Sequence, residues 1–183
     1  QSQAFEQMAG FVVEGANLTH REGTIRLPTG LVEAGVFPIM RVKPLLGRTF
    51  TPEENTPGQD RVVILGHDLW KSTFGQDQAI VGRPVQINGA VHLVVGVMPE
   101  GFQFPPRSAA ALWTPLAPGK RMRDDRGSHW VQVIARLAPG VSWVTAQQNL
   151  NEVSRRLQKQ YPATNATRGV RIQPLHLETV RSA

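Results

Sequence analysis

The stretch VQINGAVHLVV, residues 85–95, carries the strongest local signal in this sequence. Asn88 and Gly89 form the pair that a two-residue type I′ turn requires, because both central positions of that turn have positive φ. On either side of the turn an apolar residue recurs at every second position, at Val85 and Ile87 before it and at Val91, Leu93, Val95 and Val97 after it. The alternation predicts a β-hairpin with one apolar face.

A buried strand and a short helix are predicted upstream of this hairpin. The run Val62–Leu65 is continuously apolar, which is typical of a strand that is buried on both faces. His67–Phe74 predicts a short helix, and Gly75 follows at the position where helices commonly end in a left-handed residue. Residues 51–54 read TPEE, and this combination of a hydroxyl, a proline and carboxylates predicts a helix start or an acidic turn.

The first forty residues give weaker patterns. Thr24–Leu31 predicts a strand, and Val32–Met40 predicts a helix of one or two turns, since Pro38 limits its length. Residues 1–12 predict a short helix from apolar side chains at helical spacing, namely Phe5, Met8, Ala9 and Val12.

Two loops follow the hairpin. Residues 99–118 are rich in proline and aromatic residues and predict an ordered loop that packs through its rings. Residues 119–128 combine glycine with mixed charges and are the best candidate for a mobile surface loop.

The C-terminal part of the sequence predicts a β-α-β unit from His129 to Leu175. His129–Leu137 alternates as a strand, and Ser142 is placed to cap a helix over Trp143–Tyr161. The helix carries an apolar stripe, Ala146, Leu150, Val153 and Leu157. A last strand, marked by Val170, Ile172 and Pro174, is expected beside His129–Leu137, with the right-handed crossover that such units adopt.

Six short motifs in this order resemble the MacB-like periplasmic core domain, the extracytoplasmic insert of bacterial ABC-transporter permeases. The resemblance covers nearly the whole chain, from about Phe5 to Val180. It departs from the family at Ile39-Met40-Arg41, where the family usually has Leu-Gly. The motifs are Gly47-Arg48-Thr49-Phe50, the stretch Val62–Trp70, Phe74-Gly75, Val81-Gly82-Arg83, Ile87-Asn88-Gly89 and the stretch Val94–Met98.

The resemblance implies an α+β fold with two lobes. A β-α-β lobe like the porter domains of efflux pumps would comprise residues 1–46 and 118–183, with a small mixed α/β lobe, residues 47–117, inserted into it. It also implies a periplasmic, non-catalytic domain without a cofactor, working in efflux or export. The implied partners are the rest of the permease, a second permease copy and, indirectly, a cytoplasmic ATPase. Whether a membrane-fusion protein also takes part is left open.

Composition excludes several classes of protein. The 183 residues contain no cysteine, so disulfides, thiolate metal sites and a cysteine nucleophile are excluded. The longest apolar runs are far shorter than the ~20 residues that cross a bilayer. The net charge of +6 comes from cations spread along the chain, which does not predict nucleic-acid binding. The abrupt start and end are expected of a domain excised from a longer protein.

The sequence predicts no catalytic, metal or cofactor residues. His67 and Asp68 open a helix after a strand, but no G-x-S-x-G motif accompanies them, and we interpret them as helix-capping residues. A free-standing, extracytoplasmic module that binds a small molecule remains the alternative function. Partner contacts are predicted for the basic residues of the 119–128 loop, Lys120, Arg121, Arg123 and Arg126. Two aromatic residues, Phe102 and Phe104, are interpreted as core residues that would contact a partner if they are exposed.

Overall fold

The computed structural model describes residues 4–20, 23–105, 108, 110–125 and 127–175. In this part of the chain, eight strands form one mixed sheet: β1 Phe5–His20, β2 Gly23–Val32, β3 Leu46–Gly47, β4 Val62–Leu65, β5 Pro84–Ile87, β6 Ala90–Val97, β7 Leu112–Pro115 and β8 Gln132–Leu137. The helices are α1 Val36–Met40, α2 His67–Phe74, α3 Lys120–Asp124, α4 Trp143–Gln160 and α5 Pro162–Asn165, and a 3₁₀ turn covers Pro52–Asn55.

Six of the strands close into a ring. The hydrogen-bonded order is β2-β7-β4-β6-β5-β1, and β1 also pairs with β2 over ten residues, so that the last strand meets the first. Strand β1 closes the ring with its second half, which pairs with β2 on one edge and with β5 on the other. Its first half pairs with β8. We call the six strands the strand ring.

The inside of the strand ring is an apolar core. Every strand of the ring contributes side chains to one cluster, and α2, which directly follows β4, adds Leu69 and Trp70 at one end. Helix α2 therefore closes the end of the ring at which β4 finishes. The buried members from the strands are Ala16, Leu18, Val63, Leu65, Val85, Ile87, Val94, Val97 and Leu112, with Ile25 and Leu27 partly buried against them.

A second core, rich in aromatic side chains, covers part of the outside of the strand ring. Trp113 of β7 is fully buried there, and its indole Nε1 donates a hydrogen bond to the carbonyl oxygen of Phe104 at 2.8 Å. Helix α1 supplies Phe37, whose ring lies 5.8 Å from that of Phe50. Ile134 of β8 belongs to the same cluster, so β8 is anchored to the ring from outside.

The predicted hairpin is confirmed, but its single apolar face is wrong. Asn88 and Gly89 have φ of 51° and 78°, as a type I′ turn requires. The two-residue turn sets Ile87 opposite Ala90, and therefore Val85 opposite His92. Since cross-strand partners share a face, the residues after the turn that line the ring are His92 and Val94. Val91 and Leu93 point outwards and remain 60% and 44% exposed.

The helix predicted over residues 1–12 is also wrong for the part of that segment that the structure describes, since strand β1 begins at Phe5. Ala9 and Phe11 are buried, whereas Met8 is half exposed. The helical spacing of the apolar residues is thus coincidental, and pairing with β8 and β2, distant in sequence, determines the strand. Likewise, the loop predicted over residues 99–118 contains β7, a strand too short to show an alternating pattern.

The C-terminal prediction is half right. Helix α4 is confirmed, and the hydroxyl of Ser142 accepts a hydrogen bond from the backbone N–H of Thr145 at 3.1 Å. The strand expected from Val170 to Pro174 is wrong, because this segment is irregular and the N–H of Ile172 donates to the side chain of Gln147 at 2.8 Å. The predicted β-α-β unit is therefore not formed within the described residues.

The α+β class agrees with the mixed strands and helices, whereas the division into two lobes stays a prediction. Strand β2, from the segment before residue 47, pairs with β7, from the segment after it. Asn55 also ties the two segments together, since its side-chain oxygen accepts from Ala34 N at 2.8 Å and its Nδ2 donates to the carbonyl of Leu116 at 3.1 Å. Boundaries at residues 46/47 and 117/118 are not visible as a break in the sheet.

An ion pair fixes the turn that follows β3. The guanidinium of Arg48 donates two hydrogen bonds to the carboxylate of Glu54, at 2.7 and 3.0 Å, and the N–H of Thr51 donates to it at 2.8 Å. Burial of Glu54 raises the pKa of its carboxyl, but the hydrogen bonds from Arg48 and Thr51 outweigh burial and hold this pKa below its ordinary value of 4.5.

Replacing this carboxylate is expected to make folding less dependent on acid pH. At neutral pH, Glu54→Gln should lower the free energy of unfolding by roughly 1–3 kcal/mol, because charge-assisted hydrogen bonds are lost. The lowered pKa contributes stability that is complete above pH 4.5 and is lost as the pH falls through the folded-state pKa. The free energies of unfolding of the two proteins, measured with urea between neutral and acid pH, should therefore approach each other as the pH falls. A constant difference at every pH, or a similar effect of the exposed control Glu100→Gln, would contradict this.

Candidate functional sites: a basic helix and a cavity at the open end of the strand ring

The structure places the described members of the predicted basic contact on α3. Lys120, Arg121 and Arg123 are all exposed, and α3 buries none of its residues. The Nε of Arg123 donates to the carbonyl of Pro118 at 2.7 Å, which holds that side chain against the start of the helix. Arg126, the fourth predicted contact residue, lies outside the described residues.

The segment after α3 is ordered by one carboxylate. Asp125 accepts hydrogen bonds from the hydroxyl of Ser128 at 2.6 Å and from the N–H of Gly127 at 2.9 Å. These bonds, first of all the one from the hydroxyl, lower the pKa of Asp125 below its ordinary value. Within the described residues, the loop predicted over residues 119–128 contains the short helix α3, Gly127 and Ser128 are hydrogen-bonded to Asp125, and the three cations of α3 are exposed.

The two aromatic contact residues lie in the outer core instead. Phe104 is 1% exposed and packs edge-on against Phe11 with ring centroids 4.9 Å apart. Phe102 is half-buried, and its ring lies 5.3 Å from that of Trp113. This burial corrects the contact assignment for Phe104, whose side chain has no surface to offer a partner. The core interpretation of this segment describes both residues better.

His67 and Asp68 show no arrangement that resembles a catalytic pair. The Nδ1 atom of His67 lies 3.7 Å from the Asp68 carboxylate, which is too far for a hydrogen bond, and the Asp68 side chain is fully exposed. Neither side chain caps α2, because the N-cap is Gly66. The imidazole of His67 instead packs edge-on against Trp70 at a centroid distance of 5.7 Å.

A cavity of about 220 Å³ lies at the end of the strand ring opposite to α2. Arg61, which directly precedes β4, and the β5–β6 turn are at this end, whereas α2 follows β4 at the other. In contrast to the apolar interior, the wall of this open-end cavity is polar. It is lined by Glu14, Ala16, Thr29, Arg61, Ile87, Asn88, Ala90, His92 and Thr114.

Two of the lining polar residues are buried, which is unusual for side chains inside a ring of strands. Thr29 is 1% exposed, and its hydroxyl donates to the carbonyl of Leu27 at 3.3 Å. His92 is 7% exposed, and its Nδ1 lies 3.0 Å from the carbonyl of Ala90. A carbonyl can only accept, so Nδ1 carries the hydrogen. Burial, and to a lesser extent the charge of Arg61, lower the pKa of His92 below 6.5 and keep the imidazole neutral at neutral pH.

The open-end cavity also carries two opposite charges. Glu14 lies on β1 and Arg61 on the segment before β4, and both side chains are exposed. The ion pairs between charged side chains of the described residues are Arg48–Glu54 and Arg83–Asp77, so neither Glu14 nor Arg61 belongs to one.

These lining residues were missed in the sequence because they are far apart in it. Only His92 gives a signal in the sequence, because it is a polar residue at a position of β6 that faces into the ring, between Ala90 and Val94. That signal depends on the register of the hairpin, which follows directly from the two-residue turn.

A larger groove, of about 660 Å³, lies along strand β5, between α2 and the end of β1. Phe74, Ile80 and Val91 are apolar parts of its wall, and the guanidinium of Arg83 pairs there with the carboxylate of Asp77 at 2.6 Å. The charges of Arg83 and Asp77 therefore satisfy each other within this groove.

The described residues contain no group of three or more histidine, cysteine, aspartate or glutamate side chains that could hold a metal ion. None of the helices in the described part of the chain combines the length and the hydrophobicity that crossing a bilayer requires.

Comparison with known proteins assigns the family. Two solved structures share the fold, each at 18% identity and a TM-score of 0.66 over 90% of this chain: the extracellular domain of the noncanonic ABC-type transporter YknZ from Gram-positive bacteria and the periplasmic region of MacB from Actinobacillus actinomycetemcomitans. This chain covers 81% of the first and 71% of the second. A search of curated proteins finds no match. The profile of the MacB-like periplasmic core domain matches residues 1–153, and the chain therefore belongs to that family of ABC-transporter permease domains.

Proposed function

We propose that this chain is a non-catalytic, extracytoplasmic domain of an ABC-transporter permease working in efflux or export. The observation that carries the proposal is the family match over residues 1–153. The fold similarity to the extracellular domain of YknZ and the periplasmic region of MacB supports it. In this role the domain transmits conformational changes between the membrane part of the permease and its partners. These partners are a second permease copy and, indirectly, a cytoplasmic ATPase.

A closed ring of strands suits a mechanical role of this kind. Its interior is filled by a cluster of buried apolar side chains towards the α2 end, and packed cores transmit displacement rather than absorb it. Side-chain bonds tie the surrounding elements together, since the carboxylate of Glu33 accepts from the N–H of Gly10 on β1 at 2.7 Å and the guanidinium of Arg136 on β8 donates to the carbonyl of Ile39 on α1. Movement applied at one edge would therefore shift the domain as a rigid body.

The extracytoplasmic location is tested by cysteine labelling. The chain has no cysteine of its own, so Ser128→Cys introduces a single reactive group within it at an exposed position. In the parent protein, expressed in cells with a permeable outer layer but an intact inner membrane, this thiol should react with a membrane-impermeant maleimide. The parent protein without the substitution is the control for other cysteines. Labelling only after the membrane is broken would overturn the proposal.

We also propose that α3 contacts a partner through its cations. The triple reversal Lys120→Glu, Arg121→Glu and Arg123→Glu is expected to impair transport at least severalfold. A partner surface that is complementary to the three cations is acidic, and it would repel the three introduced carboxylates. Stability should change by no more than about 0.5 kcal/mol, since these side chains are exposed. A transport assay of the parent permease and urea unfolding of the domain measure the two effects.

The matched control is a second triple reversal that changes the net charge equally. Arg155, Arg156 and Lys159 are exposed near the end of a different helix, α4, and their reversal to glutamate should leave transport largely unchanged. Equal losses in both triple variants would indicate a general charge effect. Full transport in the α3 variant would remove α3 from the contact surface.

The alternative, a free-standing binding module, is favoured by the presence of the open-end cavity. It is distinguished by the sequence of the parent gene. Apolar stretches of roughly twenty residues on both sides of the domain support the permease, whereas a secretion signal before it and a stop codon after it support the module.

A further inference from the structure

We propose that the open-end cavity binds a free amino acid, with Glu14, Thr29 and His92 facing its ammonium group and Arg61 facing its carboxylate. This ligand site goes beyond the proposed mechanical role, and it does not depend on it. A module that binds amino acids and a permease domain regulated by them would both use the same cavity.

The size of the cavity selects a very small ligand. A volume of about 220 Å³ equals that of some seven water molecules at ~30 Å³ each, below the ~300 Å³ at which pockets for drug-sized ligands begin. A molecule of six to ten non-hydrogen atoms, such as a small amino acid, is of this order. Nucleotides, oligosaccharides and lipid chains exceed this volume and would extend out of the cavity.

The charges of the wall select a ligand that carries both signs. Glu14 and Arg61 line the same cavity, and within the described part of the chain neither side chain has an ion-pair partner. A ligand with a single charge would satisfy one of these groups and be repelled by the other. An amino acid brings an ammonium and a carboxylate group at a fixed short separation and satisfies both.

The buried polar groups of the wall select hydrogen-bond donors on one side of the ligand. The Nδ1–H of His92 is used by the carbonyl of Ala90, so the neutral ring offers Nε2 as an acceptor. The hydroxyl of Thr29 gives its hydrogen to the carbonyl of Leu27 and likewise keeps its lone pairs free. Together with the Glu14 carboxylate these atoms provide three acceptors, which match the three N–H donors of an ammonium group.

The test follows the His92 imidazole by NMR as glycine, L-alanine and L-serine are added to the 183-residue chain at about pH 7.5. We expect at least one of them to shift the ring signals saturably, with half-saturation below ~10 mM. N-acetyl-L-alanine lacks the ammonium group and L-alaninamide lacks the carboxylate. Both should bind about tenfold more weakly than the corresponding amino acid.

Two conservative variants assign the charges. Glu14→Gln and Arg61→Gln remove one charge each at exposed positions, so both proteins should fold, and each should weaken amino-acid binding about tenfold. The control substitutions Glu100→Gln and Lys71→Gln remove exposed charges that do not line the cavity, and binding should be unchanged. Circular dichroism and thermal unfolding confirm that all four variants are folded.

The proposal is overturned by any of three outcomes. None of the three amino acids saturates the His92 shift up to ~10 mM, the blocked analogues bind as well as L-alanine, or the two cavity variants bind like the unchanged protein. The labelling experiment on the parent protein is independent of all three. Loss of the ligand site and loss of the permease role are therefore separate results.

Discussion

Gly47→Ala is expected to lower the free energy of unfolding by roughly 2–5 kcal/mol, one of the largest effects of a single methyl group in this chain. Two costs add. Gly47 has φ of +70°, a left-handed conformation that costs a residue with a Cβ ~1–2 kcal/mol. In addition, the new Cβ would overlap the backbone carbonyl oxygen of Val95. Backbone of a central strand cannot move aside as a flexible side chain can.

The control for the first cost is another glycine with the same backbone conformation. Gly75, which ends α2, has φ of +60°, and an added Cβ there would have no neighbour within 4 Å. Gly75→Ala should therefore cost only the left-handed penalty of ~1–2 kcal/mol. Urea unfolding of the two variants separates conformational strain from steric overlap. If both glycines cost the same, close packing of Gly47 on β6 is not what requires a glycine there.

This close approach gives a physical reason for one of the six motifs. Gly47 pairs with Gly96 in the β3–β6 ladder, so glycine faces glycine where the two backbones meet. An added Cβ at Gly96 would in turn overlap the carbonyl oxygen of Arg48. The short strand β3 can thus lie against β6 only because neither residue has a side chain, and this contact directs Arg48 to its ion pair with Glu54.

Local signals in the sequence predicted local structure correctly. The Asn88-Gly89 turn, the Ser142 cap and the left-handed Gly75 each depend on a few consecutive residues, and all three are present. In such cases the backbone conformation of one or two residues limits the choice of side chain, so that the sequence carries the information directly.

Pairing between distant segments was not predictable in this way. Strand β1 is defined by its partners β8, β2 and β5, and β7 is a four-residue strand between β2 and β4. The helical spacing of the apolar residues in the first half of β1 gave a wrong prediction of a helix. The residues of this strand change neighbours along its length, so that no single face stays buried. The closure of the ring is a property of these pairings, and no local pattern encodes it.

The candidate site was the least predictable part. Its charges, Glu14 and Arg61, are separated by 47 positions in sequence (61 − 14), and only the closed ring brings them to one cavity. The basic residues of α3 were visible in the sequence because they are clustered there. Clustering identifies a charged surface, whereas a cavity lined by several strands depends on their register.

Trp113 is the largest side chain by which the ring contributes to the outer core, and its removal should be about as costly as the Gly47 substitution. It is fully buried, and its ring lies 5.3 Å from that of Phe102 and 6.3 Å from that of Phe37. Trp113→Ala is expected to lower the free energy of unfolding by about 3–5 kcal/mol. Two effects contribute to this loss: a large cavity forms, and the carbonyl of Phe104 loses the hydrogen bond from the indole N–H.

A second substitution shows whether the packing around the indole causes this loss. A Cβ added to Gly30 would lie 2.5 Å from Cδ1 of Trp113, so Gly30→Ala alone should cost about 1–3 kcal/mol through overpacking. In the Trp113→Ala background the same methyl group enters empty space, and its cost should fall to nearly zero. Urea unfolding of the single and double variants gives a coupling of about 1–3 kcal/mol between the two sites. The control Gly119→Ala, where an added Cβ has no neighbour within 4 Å, should show no coupling to Trp113→Ala.

Additive effects of Gly30→Ala and Trp113→Ala would mean that the indole does not lie against β2 as described. The pairing of β2 with β7 would then need another explanation.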